Sequence, residues 1–197
     1  DRTILKNVKR SQWFSEFDEN TEKWVFNDPP KHGEKRDSAE NISKEFYGVL
    51  KNEISEYVKE KKKVGILLSG GMDSRMVAGI LKTIQKERND FEVTAFTWGI
   101  KNTRDPVYAQ RISQMYDWNF EHFEITSETL KRNISICAEE GCFYAPQHLH
   151  AMPDVAQKAE SLGIDCILAG SYGDSIGRAE YSGKKVLKLS PVKQKLR

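Results

Sequence analysis

The sequence has few cysteines, almost no net charge and no long apolar run, and each shortage narrows the possible function. Its three cysteines, Cys137, Cys142 and Cys166, show no CxxC spacing, which argues against a disulfide framework and against common structural zinc sites. We therefore expect reduced thiols and a cytoplasmic protein. The 31 basic and 29 acidic residues give a net charge of +2, so charge does not indicate a nucleic-acid partner.

No apolar run approaches the roughly 20 residues that a membrane-spanning helix needs, so we expect no membrane partner. The chain opens with the polar stretch "DRTILKNVKR", which contains neither a secretion signal nor an initial methionine. This opening suggests a processed chain or a piece of a longer one. The 197 residues are enough for one domain with a sizeable core.

The composition changes along the chain and predicts three parts. We expect residues 1–38 to form an extended or hairpin joining segment, residues 39–183 to form the main domain, and residues 184–197 to form a basic tail. The stretches "SQWFSEF" and "EKWVF" flank the predicted hairpin turn "DENT". A helix is predicted from Ala39 to Lys61, where apolar residues recur at helical spacing.

Apolar strands then alternate with amphipathic helices. The stretches "VGILLS", "FEVTAFTW", "NFEHFEI" and "IDCILAG" are predicted strands. Asp105 is a predicted N-cap, with Pro106 at the first helical position, and Ser127 is predicted to cap the next helix. This alternation is typical of the α/β class, with a parallel sheet and helices on both faces. Ligands of such sheets bind beyond the carboxyl ends of the strands.

The junction "LLSGGMDS", where the first of these strands becomes a helix, is suited to binding an anion. Gly70 and Gly71 permit backbone conformations with positive φ and close approach of a ligand, and successive N–H groups in such a turn are expected to form an anion-binding nest. The helix N-terminus adds partial positive charge, and Ser69 and Ser74 add hydroxyl donors. Asp73 would repel a bare phosphate, so we expect Mg²⁺ to bridge its carboxylate and the phosphate oxygens.

The motif lacks the GK[ST] ending of the kinase and GTPase P-loop, so no lysine is placed to follow a transferred γ-phosphate. Instead "SGGMDS" resembles the PP-loop, SGGxDS, of the ATP pyrophosphatases, and "LLSGGMDSR" resembles the asparagine synthetase branch. The stretches "TAFTWGIKNTRDPVYAQRISQMYDWNFEHFEI" and "GIDCILAGSYGDSIGRAEYSG" extend the likeness over residues 60–183. The resemblance implies an adenine nucleotide alpha hydrolase-like, Rossmann-like fold and cleavage of ATP between its α- and β-phosphates.

The resemblance also implies roles for individual residues. Those that would hold the pyrophosphate and Mg²⁺ are Ser69, Gly70, Gly71, Asp73 and Ser74. Asp174 matches the second metal-binding carboxylate of the family, which makes Asp73 and Asp174 the expected catalytic residues. Leu67 and Trp98 match positions that frame the adenine, and Gly170 matches a position where the backbone approaches the nucleotide. A core role for Trp98 remains equally open.

The chain departs from the family pattern where the second substrate is handled. Ser171 stands where the synthetases have a glutamate, and a serine cannot act as a carboxylate base at neutral pH. The family's glutaminase domain and its later helical part with a lysine are not recognised in the sequence. His148 and His150 in "QHLH" are too few for a structural zinc site. Their stretch either lines the second substrate's pocket or forms a loop with packed aromatics.

Three functions fit these observations. The first is an ATP- and Mg²⁺-dependent ligase that adenylates a small-molecule carboxylate, releases pyrophosphate and passes the acyl group to ammonia or an amine. A glutaminase domain in the parent chain would then be its partner. The second is another PP-loop enzyme that modifies a nucleobase or tRNA. The third is a non-catalytic nucleotide-binding module, which Ser171 and the missing parts favour. The first is our prediction.

Overall fold

The computed structural model describes residues 6–8, 11, 14–28, 37–139, 145–148 and 152–171. The chain divides into two compact units, and the boundary lies after Ile42. In the first unit, β1 (Ser15–Asp18) pairs antiparallel with β2 (Lys23–Phe26). The Asp18 carboxylate accepts hydrogen bonds from the turn residues Asn20 and Thr21. The predicted hairpin is therefore confirmed.

A four-stranded parallel sheet in the order β5-β4-β3-β6 forms the centre of the second unit. Its strands are β3 (Lys63–Leu67), β4 (Glu92–Gly99), β5 (Asn119–Glu124) and β6 (Cys166–Ala169). The helices are α1 (Ala39–Val58), α2 (Met72–Arg88), α3 (Arg104–Tyr116), α4 (Ser127–Glu139) and α5 (Pro153–Ser161). No helix in the described ranges is long and apolar enough to cross a membrane.

Side chains of the strands alternate between the two faces of the sheet and enter two separate cores. On one face Ile66 of β3 is fully buried in a cluster with residues of α1, α2 and α3, among them Leu81. On the other face Phe96 of β4 is buried with Val155 and Ala159 of α5. Helices therefore cover both faces, and the predicted α/β class is confirmed.

Two helix ends differ from the prediction. The helix α1 ends at Val58 rather than at Lys61, so Lys59, Glu60 and Lys61 lie in the turn before β3. Only the C-terminal half of α1 packs on the sheet, because Ile54 is buried whereas Phe46 is 49% exposed. Ser127 is the first residue of α4, not its cap. The preceding residue, Thr126, accepts the Thr129 N–H through its hydroxyl oxygen at 3.2 Å.

The described cysteines have the environment of unreactive thiols. Cys137 is buried, Cys166 is half-buried, and both are free. Burial raises the pKa of the Cys166 thiol, which keeps it protonated at neutral pH and lowers its reactivity. Cys142 lies outside the described residues.

Asp165 links the start of β6 to the start of β3. Its Oδ2 accepts the N–H groups of Lys62 and Lys63 at 2.8 and 2.9 Å, and its own N–H donates to the Lys63 carbonyl. These bonds set a register in which Leu67 lies beside Ala169. The hydrogen bonds from the backbone of Lys63 and Lys62 lower the pKa of Asp165 from its ordinary value of 3.8.

Replacing Asp165 by alanine is expected to lower the melting temperature, because two N–H groups lose their acceptor. A carboxyl whose pKa is lower in the folded state contributes stability above its unfolded pKa, and this contribution disappears as the pH falls through the folded pKa. The difference in melting temperature between the wild type and Asp165→Ala should therefore be largest at neutral pH and shrink below pH 3.8. Thermal unfolding across this pH range measures the difference. A difference that stays constant with pH would contradict a stabilising role of the ionised Asp165 carboxylate.

Candidate active site

A cavity of about 360 Å³ opens at the carboxyl ends of β3, β4 and β6. Most of the predicted site residues line it: Leu67, Ser69, Gly71, Asp73, Ser74, Trp98 and Gly170. Gly70 is buried beside the cavity rather than on its wall. Asp174 lies outside the described residues. The structure therefore brings together, at one end of the sheet, residues that are up to about a hundred positions apart in the sequence.

The turn between β3 and α2 is held by a compact set of hydrogen bonds. The buried Ser74 hydroxyl accepts the Ser69 N–H at 3.2 Å and lies 3.0 Å from the Ser69 hydroxyl. The Gly71 N–H donates to Ser69 Oγ at 3.1 Å. No side chain caps the first turn of α2, where Asp73 lies. The Ser74 hydroxyl donates its own hydrogen within the turn, where the carbonyls of Ser69 and Gly71 each lie at 3.2 Å. The donors left for an anion are the Ser69 hydroxyl and the N–H groups of the uncapped helix start.

The loop glycines are needed for close packing rather than for unusual dihedral angles. Gly71 has φ −70° and ψ 156°, and the positive-φ glycines of the described residues are Gly99 and Gly163. The turn therefore does not use the positive φ that glycine permits. The predicted nest is also not open, because the N–H groups of Ser69, Gly70 and Gly71 all donate to side-chain oxygens of the protein. A Cβ on Gly70 would lie 2.9 Å from Asp105 Oδ1. The lack of a side chain at Gly70 is what lets this carboxylate reach the loop backbone.

The sequence predicted Asp105 as the N-cap of α3, and this prediction is wrong. The N-cap is Thr103, and α3 begins at Arg104. Asp105 lies one residue further on and accepts the Gly70 N–H through Oδ1 at 3.1 Å. It also lines the cavity. The sequence interpretation thus missed a carboxylate at the site, because the Asp-Pro pair matched a local capping pattern.

Gly170 lies where β6 packs directly on the first turn of α2. A Cβ at this position would lie 2.6 Å from the Ser74 backbone nitrogen and 2.7 Å from the Asp73 carbonyl carbon. This close approach places Ser171 on the cavity wall. Ser171, which the family resemblance aligns with a glutamate, is therefore at the site itself.

The apolar part of the wall has a structural role as well. Trp98 and Leu67 pack against the core cluster around Phe96 and also line the cavity, so the core role for Trp98 is confirmed. His148 lines the same cavity, whereas His150 lies outside the described residues. Thr97, which is 1% exposed, is a wall residue that the sequence analysis missed. Its position near the carboxyl end of β4, where ligands of parallel sheets bind, could have identified it from the sequence.

The charged side chains on this wall allow a test of whether Mg²⁺ fits. The described residues contain no group of three or more His, Cys, Asp or Glu side chains that could hold a metal ion by themselves. Asp73 and Asp105 nevertheless contribute carboxylates to one wall. Mg²⁺ is usually bound by one or two carboxylates together with substrate phosphates. The donor set therefore fits a Mg²⁺ ion that is shared with a bound nucleotide.

A protein family and one characterised enzyme are similar to this chain in sequence. The family Asparagine synthase matches residues 45–182. The glutamine-hydrolyzing asparagine synthetase of Gallus gallus is 28% identical over 87 residues, which are 44% of this chain and only 15% of that enzyme.

Two solved structures resemble the fold. The glutamine-dependent NAD⁺ synthetase from Acinetobacter baumannii, in complex with ADP, is 17% identical, with a TM-score of 0.49 over 83% of this chain and 31% of that chain. The U34-tRNA thiolase NcsA from Methanococcus maripaludis is 18% identical, with a TM-score of 0.47 over 72% of this chain and 52% of that chain. Because the family match covers more than half of the sequence, the chain belongs to the asparagine synthase family.

Proposed function

We propose that this chain is the ATP-binding part of an amide-forming ligase. A small-molecule carboxylate attacks the α-phosphate of ATP, pyrophosphate leaves with the electron pair of the broken P–O bond, and an acyl-adenylate forms. Ammonia or an amine then displaces AMP and gives the amide. Membership of the asparagine synthase family supports ATP-using ligase chemistry, and the cavity at the β3–α2 junction is where we place it.

The observation that carries the proposal is the Ser69 hydroxyl beside the uncapped start of α2. Ser69 and Ser74 lie 3.0 Å apart on the wall that also contains Asp73. The Ser69 hydroxyl and the first-turn N–H groups would donate to the pyrophosphate oxygens as negative charge develops on them, while the Ser74 hydroxyl, which donates to the loop carbonyls, would hold the turn. Their positions are already fixed by hydrogen bonds within the turn, so little reorganisation accompanies the reaction.

Asp73 would hold Mg²⁺, with Asp174 as the second carboxylate that the family resemblance implies. When bound, the ion would offset the negative charge of the phosphates. The apolar wall of Leu67 and Trp98 would take the adenine. Trp98 is held by its core contacts, so its ring offers a surface of fixed orientation for stacking.

The second substrate would enter beside His148 and Ser171, which lie on the same wall. Ser171 supplies a hydroxyl where the synthetases have a glutamate, so the amide product need not be asparagine. The relative from Gallus gallus is described as glutamine-hydrolyzing. We propose by analogy that ammonia comes from a glutaminase domain of the parent protein.

The test is exchange of labelled pyrophosphate into ATP by the whole natural protein, with Mg²⁺ and a panel of small carboxylates. We expect exchange with at least one carboxylate, and AMP rather than ADP as the nucleotide product. Formation of ADP would contradict cleavage between the α- and β-phosphates. ATP binding without exchange for any carboxylate would favour the non-catalytic module. Salt-dependent tRNA binding would favour a tRNA-modifying PP-loop enzyme.

A further inference from the structure

We propose that Asp105 makes this cavity select a metal-complexed polyphosphate over a free one. The inference rests on the proposed function, because it concerns the pyrophosphate end of the same nucleotide site. The SGGxDS motif and Asp73 do not by themselves require this preference for a metal-complexed polyphosphate, which we assign to Asp105.

The position of the Asp105 carboxylate is fixed by the loop it contacts. Oδ1 accepts the N–H of the buried Gly70 at 3.1 Å, and any side chain at Gly70 would meet this oxygen. Tyr108, one turn further along α3, packs against the same glycine. The Asp105 carboxylate therefore has a fixed position, with one oxygen bound to the loop backbone while the residue also lines the cavity.

The formally charged side chains on the described wall are acidic. Asp73 and Asp105 are its acidic residues, and the wall residues include no lysine or arginine. Three arginines lie near the loop but are not among the wall residues. Arg104 and Arg111 lie over the Tyr108 ring, 6.0 and 5.8 Å from its centroid. Arg75 donates to the Gly71 carbonyl.

Free pyrophosphate carries several negative charges and would be repelled by both carboxylates. A divalent cation bound to the anion would offset about half of its charge and weaken this repulsion. Asp73 is already the expected metal ligand. Asp105, whose Oδ1 is bound to the loop, would therefore act mainly through its charge.

The experiment is calorimetric titration of the whole protein with inorganic pyrophosphate, in EDTA and in excess Mg²⁺. Asp105→Asn keeps an oxygen acceptor for the Gly70 N–H and removes the charge. We expect this variant to bind pyrophosphate about tenfold more tightly than the wild type in EDTA. In Mg²⁺ the difference should become much smaller or reverse.

The matched control is Asp117→Asn. Asp117 is exposed at the other end of α3 and adopts a left-handed conformation with φ 56°, which asparagine tolerates well. This variant changes the net charge equally, and we expect its affinity for pyrophosphate to equal that of the wild type. An equal gain in both variants would assign the effect to net charge and overturn the inference.

The remaining outcomes separate this inference from the proposed function. If both proteins bind pyrophosphate in Mg²⁺ and Asp105→Asn shows no gain in EDTA, the inference is wrong and the pyrophosphate site stands. If the wild type binds no pyrophosphate under either condition, the site and the inference fail together. Asp105→Ala provides the same comparison should the asparagine variant not fold, and tighter binding in EDTA is again expected.

Discussion

Replacing Asp73 by asparagine is expected to reduce ATP–pyrophosphate exchange by about a hundredfold or more. Asp73 lies in the first turn of α2 and on the cavity wall, where its carboxylate is the proposed ligand of the nucleotide's Mg²⁺. Asparagine has almost the same size but lacks the charge, so the variant should still fold. Loss of an acid near a helix N-terminus costs only about 0.3–1 kcal/mol of stability. Exchange kinetics at saturating Mg²⁺, together with thermal unfolding, measure both effects.

Glu128→Gln is the matched control for Asp73→Asn. Glu128 is an exposed acid in the first turn of α4, so its loss also removes a favourable charge from a helix start. It is not among the wall residues of the cavity, and we expect the variant to keep the wild-type exchange rate within about twofold. Exchange that survives in Asp73→Asn would remove Asp73 from the proposed reaction.

The sequence was sufficient to predict the elements and the end of the sheet where the site lies. Apolar periodicity is a local property, so runs such as "VGILLS" and "FEVTAFTW" could be assigned to β3 and β4 without any tertiary information. Alternation with helices then predicted a parallel sheet. In parallel sheets the loops at the carboxyl ends of the strands are neighbours, so the strand ends that contain Ser69, Trp98 and Gly170 could be placed together. The individual roles of Trp98 and Gly170 came from the family resemblance.

The sequence could not predict which groups contact the loop across the fold. Gly70 and Asp105 are 35 positions apart, and the Asp-Pro pair matches an N-cap pattern at least as well as a tertiary contact. A glycine pair is equally compatible with positive φ and with close packing, and only the neighbouring carboxylate distinguishes the two. The apolar spacing of α1 likewise continues past the part of the helix that packs on the sheet, which explains the exposed Phe46.

Gly170→Ala is expected to have the largest structural effect at the site. The new Cβ would lie 2.6 Å from the Ser74 nitrogen and 2.7 Å from the Asp73 carbonyl carbon. Both atoms belong to the backbone, so no side-chain rotation can relieve the contact, and β6 has to move away from α2. We expect a loss of about 1–3 kcal/mol in the free energy of unfolding. Affinity for Mg·ATP should fall about tenfold or more, because the displaced turn carries the proposed phosphate donors.

Gly48→Ala separates the effect of this contact from the general effect of adding a methyl group to a glycine. Gly48 lies within α1, and a Cβ there would meet nothing within 4 Å. Alanine in a helix interior is favoured over glycine by about 0.5–1 kcal/mol, so this variant should be more stable than the wild type and bind Mg·ATP equally well. Chemical denaturation and nucleotide titration of both variants make the comparison. If Gly170→Ala resembled Gly48→Ala in both measurements, the close approach of β6 to α2 would not be what holds the loop in place.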